Sequence, residues 1–579
     1  MIQDELKNAI KKALRKMSIK VDDIEFEYPA NLDFGDYSTN VAMVHAKKIN
    51  ENPVKLAEKI VRELNKTLSP STTLGTNCSK QFERIEIAGN GFINFYLSKT
   101  FFTKILKEIL NKDEDYGRNK NLNGEKIMIE FTDPNPFKEF HIGHLMSNII
   151  GESIARLVEF SGAKVKRANY QGDVGLHIAK AVWGIKKMKN EMPGGKTDLA
   201  QKIKFLGRAY SLGAKEYEID SSAKKEMNEI NKYIYENKNS EIKKIYKWGR
   251  EISLRYFEII YEMLGTKFDF YFFESKAGKL GEKLVKKFSK KGLFEKSQGA
   301  IVFKGEKYGL HTRVFCNSDG IPTYEAKELG LAKLKYRKYR YDKSIVITGN
   351  EINDYFKVLL KVMSFVYPKL AERTKHIGHG MLRLPEGKMS SRTGDVVPFV
   401  LLFDYVYKKI HPMVKREDMS EDEKIETSEK ISVAVLKYQI LKQQLGKNII
   451  FDFNKSLSFE GDSGPYLLYT YVRAKSVLNN ADKIGLKVKI RPTKEENIIL
   501  ERFLSRFPET VERASREYSP HYVANYLVEL ASAFNNYYAK NKIIDSGDLA
   551  EYRLALTKAV SIVLRNGLDA LGIEIVEKM

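Results

Sequence analysis

The sequence predicts an α/β protein in which a doubly wound parallel sheet is combined with a small α+β domain and an all-α helical bundle. Helical and strand patterns are mixed over the first 115 or so residues. From about Glu125 to Gly184, and again from about His311 to Asp395, strands alternate with helices, as crossovers between parallel strands require. From about Val396 onward the pattern is helical, which predicts the bundle.

The length predicts several domains, because 579 residues exceed the roughly 150 residues of a typical domain. We expect an N-terminal domain at 1–115, a sheet domain at 120–400 and a helical domain at 401–579. A largely helical insertion is expected inside the sheet domain at about 185–300. The polar stretch Asn111 to Gly124 is typical of a linker.

The N-terminal domain should begin with an amphipathic helix that ends at Met17. A strand around Asp23 to Glu27 and a helix around Val54 to Leu68 are expected next. The stretch Arg84 to Tyr96 carries Asn90-Gly91 between two apolar runs, which is a strong hairpin signal. These elements predict a small α+β domain.

The most informative segment of the sheet domain is His141-Ile142-Gly143-His144. An apolar run, Lys126 to Phe131, predicts a strand before it, and Pro134 and Pro136 force the chain to turn. Apolar residues then recur at helical spacing until Gly162. His141 and His144 should therefore lie at a helix N-terminus on the carboxyl edge of a strand, where free N–H groups favour a phosphate.

A second His-Ile-Gly-His occurs at His376 to His379, so the tetrapeptide alone is a weak signal. Met381 to Pro385 follow it without helical spacing, and we expect this copy to form a strand. The strand leads into the loop Glu386 to Gly394, which contains Lys388-Met389-Ser390-Ser391-Arg392. Its cations, hydroxyls and two glycines suit a mobile clamp on a triphosphate.

Two apolar stripes at helical spacing support the bundle. They are Leu467, Leu468, Tyr471, Ala474 and Val477, and Tyr526, Leu527, Leu530, Ala531 and Phe534. Within the sheet domain, the basic aromatic run Lys335 to Tyr341 precedes the predicted strand Ile345 to Ile347, so it should cover the end of a helix. Contact of this run with RNA is the alternative.

Composition points to a polyanionic partner. The net charge is +23, and phosphate neutralisation by Lys and Arg makes nucleic acid the favoured partner over a merely solvated basic surface. Only Cys78 and Cys316 occur, without spacing for zinc or a disulfide framework, which fits a reducing cytoplasm. No apolar run approaches the roughly 18 residues of a membrane span, and Asp4 and Glu5 argue against a transit peptide.

With these motifs in view, the sequence resembles the arginyl-tRNA synthetases almost end to end. The catalytic core is matched by the two motifs and by Asp133-Pro134-Asn135-Pro136 and Asn169-Tyr170-Gln171-Gly172-Asp173. The tRNA-elbow domain is matched by Gly35 to Asn40 and Ile87 to Phe95. The anticodon domain is matched by Gly464 to Leu467, Phe534 to Tyr538 and Gly567 to Ile573.

The resemblance implies a Rossmann-like catalytic domain and an arginine–tRNA ligase. ATP with Mg²⁺ would activate L-arginine to arginyl-adenylate, and the arginyl group would pass to the terminal adenosine of tRNA(Arg). It further implies that adenylate formation needs bound tRNA. From the composition and the two cysteines we expect a cytoplasmic protein that uses no zinc and makes no membrane contact, and we expect a monomer. Positioning and charge stabilisation would carry most of the rate.

The implied catalytic residues are His141, His144, Lys138 and Lys388. The implied ATP ligands are His141, Gly143, His144, Gly349, Lys388, Met389, Ser390 and Ser391. Ser391 stands where most class I synthetases have a second catalytic lysine, and Lys138 matches a lysine that many arginyl enzymes carry. We expect Lys138→Ala to reduce aminoacylation on the order of 10²-fold, as loss of one preorganised donor does, measured by steady-state kinetics. The competing interpretation is an ordinary surface lysine.

Selection of arginine calls for carboxylates, which pair bidentately with a guanidinium. The resemblance points to Asn135, Glu274, Tyr324, Glu328 and Glu351. Glu328 stands where many relatives have Asp, and Glu351 where some have Gln. Solvated or ion-paired carboxylates are the alternative for these acids.

For tRNA, the resemblance points to Asn40, Tyr466 and Arg473, with core packing as the alternative for the bundle tyrosines. Two other functions stay open at this level. One is a class I ligase for a different amino acid, which the acidic pocket disfavours. The other is a catalytically silent RNA-binding paralogue, which the presence of Lys138, His141, His144 and Lys388 disfavours.

Overall fold

The computed structural model describes residues 2–21, 23–29, 31–68, 81–385, 397–490 and 498–579. The chain divides into two compact units. Unit 1 comprises Met1–Gly117, Thr470–Thr510 and Glu529–Asn566, and unit 2 comprises Arg118–Tyr469, Val511–Val528 and Gly567–Met579.

The N-terminal part of unit 1 packs helices against a three-stranded antiparallel sheet of order β1-β3-β2. Its elements are α1 (Ile2–Lys16), β1 (Tyr37–Thr39), α2 (Val41–Ala46), α3 (Pro53–Leu68), β2 (Phe82–Ala88), β3 (Phe92–Leu97) and α4 (Lys99–Lys112). The predicted hairpin is confirmed, because β2 and β3 pair around Gly89 and Gly91, whose φ angles are 53° and 112°. Such angles favour glycine.

The strand predicted at Asp23 to Glu27 is reduced to one antiparallel bridge. Glu27 and Ser38 exchange two backbone hydrogen bonds of 2.8 and 2.9 Å. Pro29 follows and has no N–H with which to extend the ladder. The prediction of a regular strand here was therefore wrong.

Unit 2 is built on a five-stranded parallel sheet, which confirms the predicted fold class. The strands are β4 (Lys126–Glu130), β5 (Lys164–Gln171), β6 (Phe270–Phe273), β10 (Lys343–Gly349) and β11 (Thr374–His379). Their order is β11-β10-β4-β5-β6, and every neighbouring pair is parallel. Because the sheet grows on one side of β4 and later on the other, a crevice is expected at the carboxyl edge between β4 and β10.

Helices cover this sheet, and others form the insertion. They are α5 (Ile142–Phe160), α6 (Leu176–Lys187), α7 (Leu199–Ile219), α8 (Ser221–Glu236) and α9 (Ser240–Met263). Helices α6 to α9 share a buried apolar core. Strand β6 lies inside the range 185–300 that was expected to be largely helical. Its four aromatic residues are too few to show a period of two, and their pairing with β5 decides their structure.

The rest of unit 2 completes the covering layers and adds a small antiparallel sheet of order β7-β8-β9. Its elements are α10 (Glu274–Ser289), β7 (Glu295–Ser297), β8 (Ala300–Phe303), β9 (Arg313–Cys316), α11 (Tyr324–Lys338), α12 (Asn353–Val366), α13 (Pro368–Arg373), β12 (Leu382–Arg383), α14 (Phe399–Ile410), α15 (Glu421–Leu441), β13 (Ile449–Ile450) and α16 (Phe453–Ser456). The two-residue strand β13 pairs with β12 in a region predicted to be helical throughout.

The C-terminal helices confirm the predicted bundle class. They are α17 (Gly464–Lys483), α18 (Ile498–Glu517), α19 (His521–Lys540) and α20 (Ala550–Ala570), and each is divided between the two units. Both predicted stripes are buried. In the part of the chain described, no helix combines the length and apolar character needed to cross a membrane.

Candidate active site

The first His-Ile-Gly-His segment opens α5, as predicted. His141 is the N-cap residue in extended backbone, and the helix begins at Ile142. Nδ1 of His141 accepts the backbone N–H of Gly143 at 3.1 Å, and Nδ1 of His144 accepts the backbone N–H of His141 at 3.3 Å. The two rings stack with their centroids 3.6 Å apart. This reciprocal capping satisfies two of the free N–H groups at the helix N-terminus.

Both imidazoles are neutral and carry their ring hydrogen at Nε2. Each Nδ1 accepts a backbone hydrogen, so the hydrogen of the neutral ring must be on the other nitrogen. Burial, and secondarily the Lys138 cation, lowers the pKa of His141 to about 4. Burial, His141 and Lys138 hold the pKa of His144 well below its usual range. The pair can therefore donate two hydrogen bonds without bringing charge into the site.

Gly143 leaves room for the His141 ring. A Cβ atom at Gly143 would lie 3.0 Å from Cε1 and 3.1 Å from Nδ1 of His141. These separations are shorter than the optimum for nonbonded carbon contacts, about 3.5 Å or more. A side chain at this position would therefore require the capping His141 ring to shift by a few tenths of an ångström.

The loop between β4 and α5 is held in an uncommon backbone conformation. Thr132, Asp133 and Phe137 have φ angles of 78°, 46° and 68°. Oδ1 of Asp133 accepts the N–H of Tyr170 at 2.7 Å, and Oγ of Ser253 accepts the N–H of Phe137 at 2.8 Å. Backbone strain of this kind persists only where the surroundings enforce it, which is common at functional sites.

Lys138 lies beside the histidine pair. Its Nζ is 4.8 Å from the ring centroid of Tyr210 on α7. Its positive charge adds to the effect of burial in lowering the pKa values of His141 and His144. The structure thus brings together three of the four predicted catalytic residues.

The fourth, Lys388, lies outside the described residues, as do Met389, Ser390 and Ser391. The described part of the chain begins again at Val397, which is hydrogen-bonded to the residue that follows His141. The N–H of Ile142 donates to the carbonyl of Val397 at 3.1 Å, and the N–H of Phe399 donates to the carbonyl of Phe140 at 2.8 Å.

Gly349 ends β10, the strand that borders β4. A Cβ atom at Gly349 would overlap the carboxylate of Glu351, so these two predicted ligands are in contact range. The second His-Ile-Gly-His forms most of β11, which confirms that this copy is a strand. His376 stacks on Phe356 with the ring centroids 3.8 Å apart, as expected of a structural histidine.

Two predicted arginine ligands meet near the carboxyl ends of β5 and β6. A Cβ atom at Gly172 would overlap Oδ1 of Asn135 and lie 3.3 Å from Oε1 of Glu274. Glu274 is buried at the start of α10, and Nζ of the buried Lys327 donates to its Oε2 at 2.5 Å. Burial raises the pKa of Glu274, and Lys327 opposes the shift. Glu274 is therefore already neutralised by an internal cation.

Glu328 makes no hydrogen bond or ion pair with any residue that the structure describes. Burial and the nearby Glu130 raise its pKa well above the usual range, while Lys335 opposes the shift. Glu130 and Lys335 form a buried ion pair of their own at 2.8 Å. Glu328 is thus a half-buried carboxylate to which no described cation is bound.

Tyr324 stands at the first residue of α11, one turn before Glu328. It is 58% exposed, and Nζ of Lys327 lies 4.9 Å from its ring centroid. The neighbouring Lys327 therefore connects Tyr324 with Glu274. We call Asn135, Glu274, Tyr324, Lys327 and Glu328 the acidic pocket.

Comparison with protein families identifies the fold that carries this site. Residues 105–453 match the family model for tRNA synthetases class I (R), catalytic domain. Residues 467–579 match the DALR anticodon binding domain, and residues 4–97 match the arginyl tRNA synthetase N terminal domain. The chain belongs to the arginyl-tRNA synthetase family. The reaction of this family is the ATP-driven aminoacylation of tRNA(Arg).

Relatives of this synthetase family match nearly the whole chain. The arginine–tRNA ligase of Clostridium acetobutylicum is 30% identical over 561 residues, covering 96% of this chain and 95% of the relative. That of Fusobacterium nucleatum is 32% identical over 569 residues, with 96% and 95% coverage. The arginyl-tRNA synthetase structures from Thermus thermophilus and Plasmodium falciparum share the fold at 22% identity, with TM-scores of 0.81 and 0.78 and coverage of at least 99% of each chain.

Asp173 holds several elements of the site together. It lies in a motif of the sequence, but no role was predicted for it. Its buried carboxylate accepts hydrogen bonds from Tyr246 (3.1 Å), Arg250 (3.2 Å) and both the N–H and Oγ–H of Ser275 (2.9 and 2.8 Å). The spacing of Tyr246 and Arg250, four residues apart on α9, was the available signal for one helix face.

His177 was also missed. Its Nε2 donates to the carbonyl of Gly172 at 2.9 Å, and burial lowers its pKa to about 4. This bond braces the turn that contacts Asn135 and Glu274. No pattern in the sequence distinguishes His177 from an ordinary helix residue.

The predicted tRNA ligands are distributed over both units. Asn40 precedes α2 as its N-cap residue, in unit 1. Arg473, also in unit 1, donates to Oδ1 of Asn535 at 2.6 Å and lies 5.1 Å from the ring centroid of Tyr538. Tyr466 is half-buried in the first turn of α17, in unit 2.

Proposed function

We propose that this family member catalyses arginylation with the histidine pair, Lys138 and the Lys388 loop around ATP, and the acidic pocket around arginine. The observation that carries the proposal is that neutral Nε2–H donors and a half-buried carboxylate without a described ion-pair partner, Glu328, occur in one unit at the carboxyl edge of one parallel sheet. The first group suits phosphate oxygens, and the second suits a guanidinium.

In the first step, the carboxylate of arginine attacks the α-phosphorus of ATP, and the bond to the bridging oxygen of pyrophosphate breaks. His141 and His144 donate from Nε2 to phosphate oxygens as charge shifts toward pyrophosphate. Lys138 supplies a cation to the same phosphates. In the second step, a hydroxyl of the terminal adenosine displaces AMP from the arginyl group. The protein contributes position and charge rather than covalent chemistry.

Mg²⁺ would enter with the triphosphate in this scheme. Among the described residues, no group of three or more His, Cys, Asp or Glu side chains could hold a metal ion. A protein-held metal site therefore does not fit the residues described, and no step depends on one. Magnesium bound mainly by substrate phosphates is common in nucleotide enzymes.

The residues of the acidic pocket would contact different parts of the arginine substrate. Glu328 would accept the guanidinium, because no described cation is bound to it. Asn135 would contact the α-amino end, and Tyr324 would cover the mouth of the pocket. Glu274 would act mainly as the ion-pair partner of Lys327. Because this pair is neutral overall, the carboxylate of Glu328 would be the one negative charge of the acidic pocket that the substrate can bind. Glu351 would contact arginine or ribose beside Gly349.

The remaining assignments complete the proposal. The domains at 1–115, 120–400 and 401–579 would contact the tRNA elbow, the substrates and the anticodon, with Asn40, Tyr466 and Arg473 touching tRNA. The protein would act as a cytoplasmic monomer without zinc.

ATP–pyrophosphate exchange tests the proposed reaction. Exchange should depend on L-arginine, should be absent with L-lysine in its place, and should require tRNA(Arg). Exchange supported equally by lysine would contradict the role of the acidic pocket. Equal exchange with and without tRNA would contradict the coupling while leaving the ligase assignment intact.

A further inference from the structure

Two clefts of unit 2 flank the C-terminal half of α11. The edge cleft, of about 570 Å³, lies along β6 and is bordered by Lys276, Arg337 and Lys338. The helix-end cleft, of about 650 Å³, is bordered by Lys333, Tyr336, Arg337, Arg340, Tyr367 and Lys369. Arg337 lines both, so the two clefts adjoin.

The helix-end cleft is remote from the acidic pocket. Helix α11 begins at Tyr324 in that pocket and ends at Lys338. Its 15 residues span about 22 Å at 1.5 Å per residue. The helix-end cleft therefore lies toward the amino ends of the strands. The edge cleft runs along the whole of β6, from Asp269 to Phe273, and reaches Lys276 in the first turn of α10.

The cations of the clefts have no acidic partners. Among described residues, Lys333, Arg337, Arg340 and Lys369 form no ion pair, and no carboxylate lines the helix-end cleft. Lysines elsewhere on this unit do find partners, as Lys357 does with Asp354 at 2.8 Å.

The one acidic residue that lines the edge cleft in the described part of the chain, Asp269, already has hydrogen-bond partners. Asp269 accepts from Nζ of Lys166 at 2.6 Å and from the N–H of Arg167 at 2.8 Å. The unpaired charge of both clefts is therefore positive, which favours an anionic partner.

Aromatic rings are interleaved with these cations. Nζ of Lys333 lies 5.2 Å from the ring centroid of Tyr367, and the guanidinium of Arg340 lies 5.1 Å from that of Tyr336. In the edge cleft, Nζ of Lys338 lies 5.6 Å from the ring centroid of Phe270. Rings beside cations are the arrangement on which unpaired bases stack while phosphates are neutralised.

The positive field extends along the same end of the sheet. Lys343 begins β10, and Lys375 stands second in β11. Lys375 is exposed at the surface, and partial desolvation together with the charge of Lys343 lowers its pKa. Like charges are thus held close together here, as in surfaces that receive polyanions.

We infer that the edge cleft and the helix-end cleft together bind single-stranded RNA, at a site that shares no residue with the proposed catalytic residues or the acidic pocket. A duplex would present phosphates to the cations but could not insert stacked bases beside the rings. An acidic peptide would satisfy the cations but gain little from the rings. The inference does not depend on the proposed function, because no residue of the clefts belongs to the proposed site.

Fluorescence anisotropy of a labelled oligouridylate with the full-length protein, at saturating tRNA, tests the inference. The triple variant Arg337→Gln, Arg340→Gln, Lys369→Gln should bind at least about 10-fold more weakly. Its log–log salt slope should fall by about 2, since each contact to a single strand contributes about 0.7. Tyr367→Leu should weaken binding about 5-fold or more, with little change of slope.

A control triple with equal charge loss uses the exposed insertion lysines Lys225, Lys243 and Lys244, each changed to Gln. It should change affinity less than about 2-fold, and aminoacylation should persist in all variants. Equal weakening by both triples would overturn the inference in favour of non-specific charge. Unchanged binding in Tyr367→Leu, with equally strong competition by polyglutamate, would overturn it in favour of an acidic-peptide surface.

Discussion

At the scale of single residues, backbone groups determine the chemistry of the histidine pair. Two backbone N–H groups occupy the Nδ1 atoms of His141 and His144, which leaves both Nε2–H groups available as donors. Burial keeps both rings neutral. The hydrogen-bonding direction of each ring is thus fixed before any substrate binds.

Gly143→Ala should separate activity from stability. The added Cβ would lie 3.0 Å from Cε1 of His141 and displace the ring, so kcat should fall on the order of 10-fold or more. Alanine favours helix over glycine, so the free energy of unfolding should be unchanged or rise by up to about 1 kcal/mol. Gly207→Ala is the control, because its nearest neighbour atom would be 3.7 Å away. Unchanged kcat in Gly143→Ala would contradict the positioning role.

Glu328→Gln should raise the KM for arginine about 10- to 100-fold, because a charged hydrogen bond to a half-buried partner is lost. The KM for ATP should stay within about 2-fold. Glu328→Asp keeps the charge and should have the smaller effect. Steady-state aminoacylation measures all three quantities, and an unchanged KM for arginine in Glu328→Gln would place the guanidinium elsewhere.

At the scale of elements, Asp173 joins β5 to α9 and α10. Its carboxylate is 1% exposed and binds Tyr246 and Arg250 on α9 and Ser275 in the first turn of α10. Helix α9 also holds the site loop, through Ser253 and Phe137. One carboxylate thus sets the relative position of the elements that carry Asn135 and Glu274.

Asp173→Asn should therefore impair both stability and catalysis. Loss of charge-assisted hydrogen bonds should lower the free energy of unfolding by about 1–3 kcal/mol, measured by urea denaturation, and reduce kcat. The control is Asp198→Asn at the N-cap of α7, where either side chain caps equally well and almost no change is expected. Equal stability of the two variants would show that the Asp173 network does not hold these elements.

At the scale of the whole molecule, neutral buried histidines make the fold sensitive to acid. The pKa values of His141, His177 and His376 are lowered to about 4, chiefly by burial. In the unfolded chain a histidine has a pKa of about 6.5. Their contribution to stability is therefore complete above about pH 6.5 and is lost as the pH falls toward about 4.

The variant His177→Gln measures how much one of these histidines contributes to the pH dependence of stability. Between about pH 7 and about pH 5, the loss of unfolding free energy should be about 2 kcal/mol smaller in the variant than in the wild type. His311→Gln, which removes an exposed histidine, reports the effect of substitution itself. Parallel stability curves for His177→Gln and the wild type would show that His177 is not held neutral.

The local patterns predicted much of this architecture. The strand, proline turn and helix around His141 could be read from apolar spacing and two prolines, and the hairpin could be read from Asn90-Gly91. The predictions of secondary structure failed where hydrogen bonding to a distant segment determines whether a strand forms. Strand β6 exists because Phe270 to Phe273 align with β5, and Asp23 to Glu27 lack a partner beyond Ser38.

The sequence by itself determined the fold class and the family, and it supplied the predicted site residues, because these depend on local periodicity and on motifs. Only the tertiary structure decided the state of those residues. It neutralised Glu274 with Lys327, left Glu328 without a described partner and set both histidine tautomers. Charge state and hydrogen-bond direction depend on burial and on neighbours far along the chain, which no local pattern encodes.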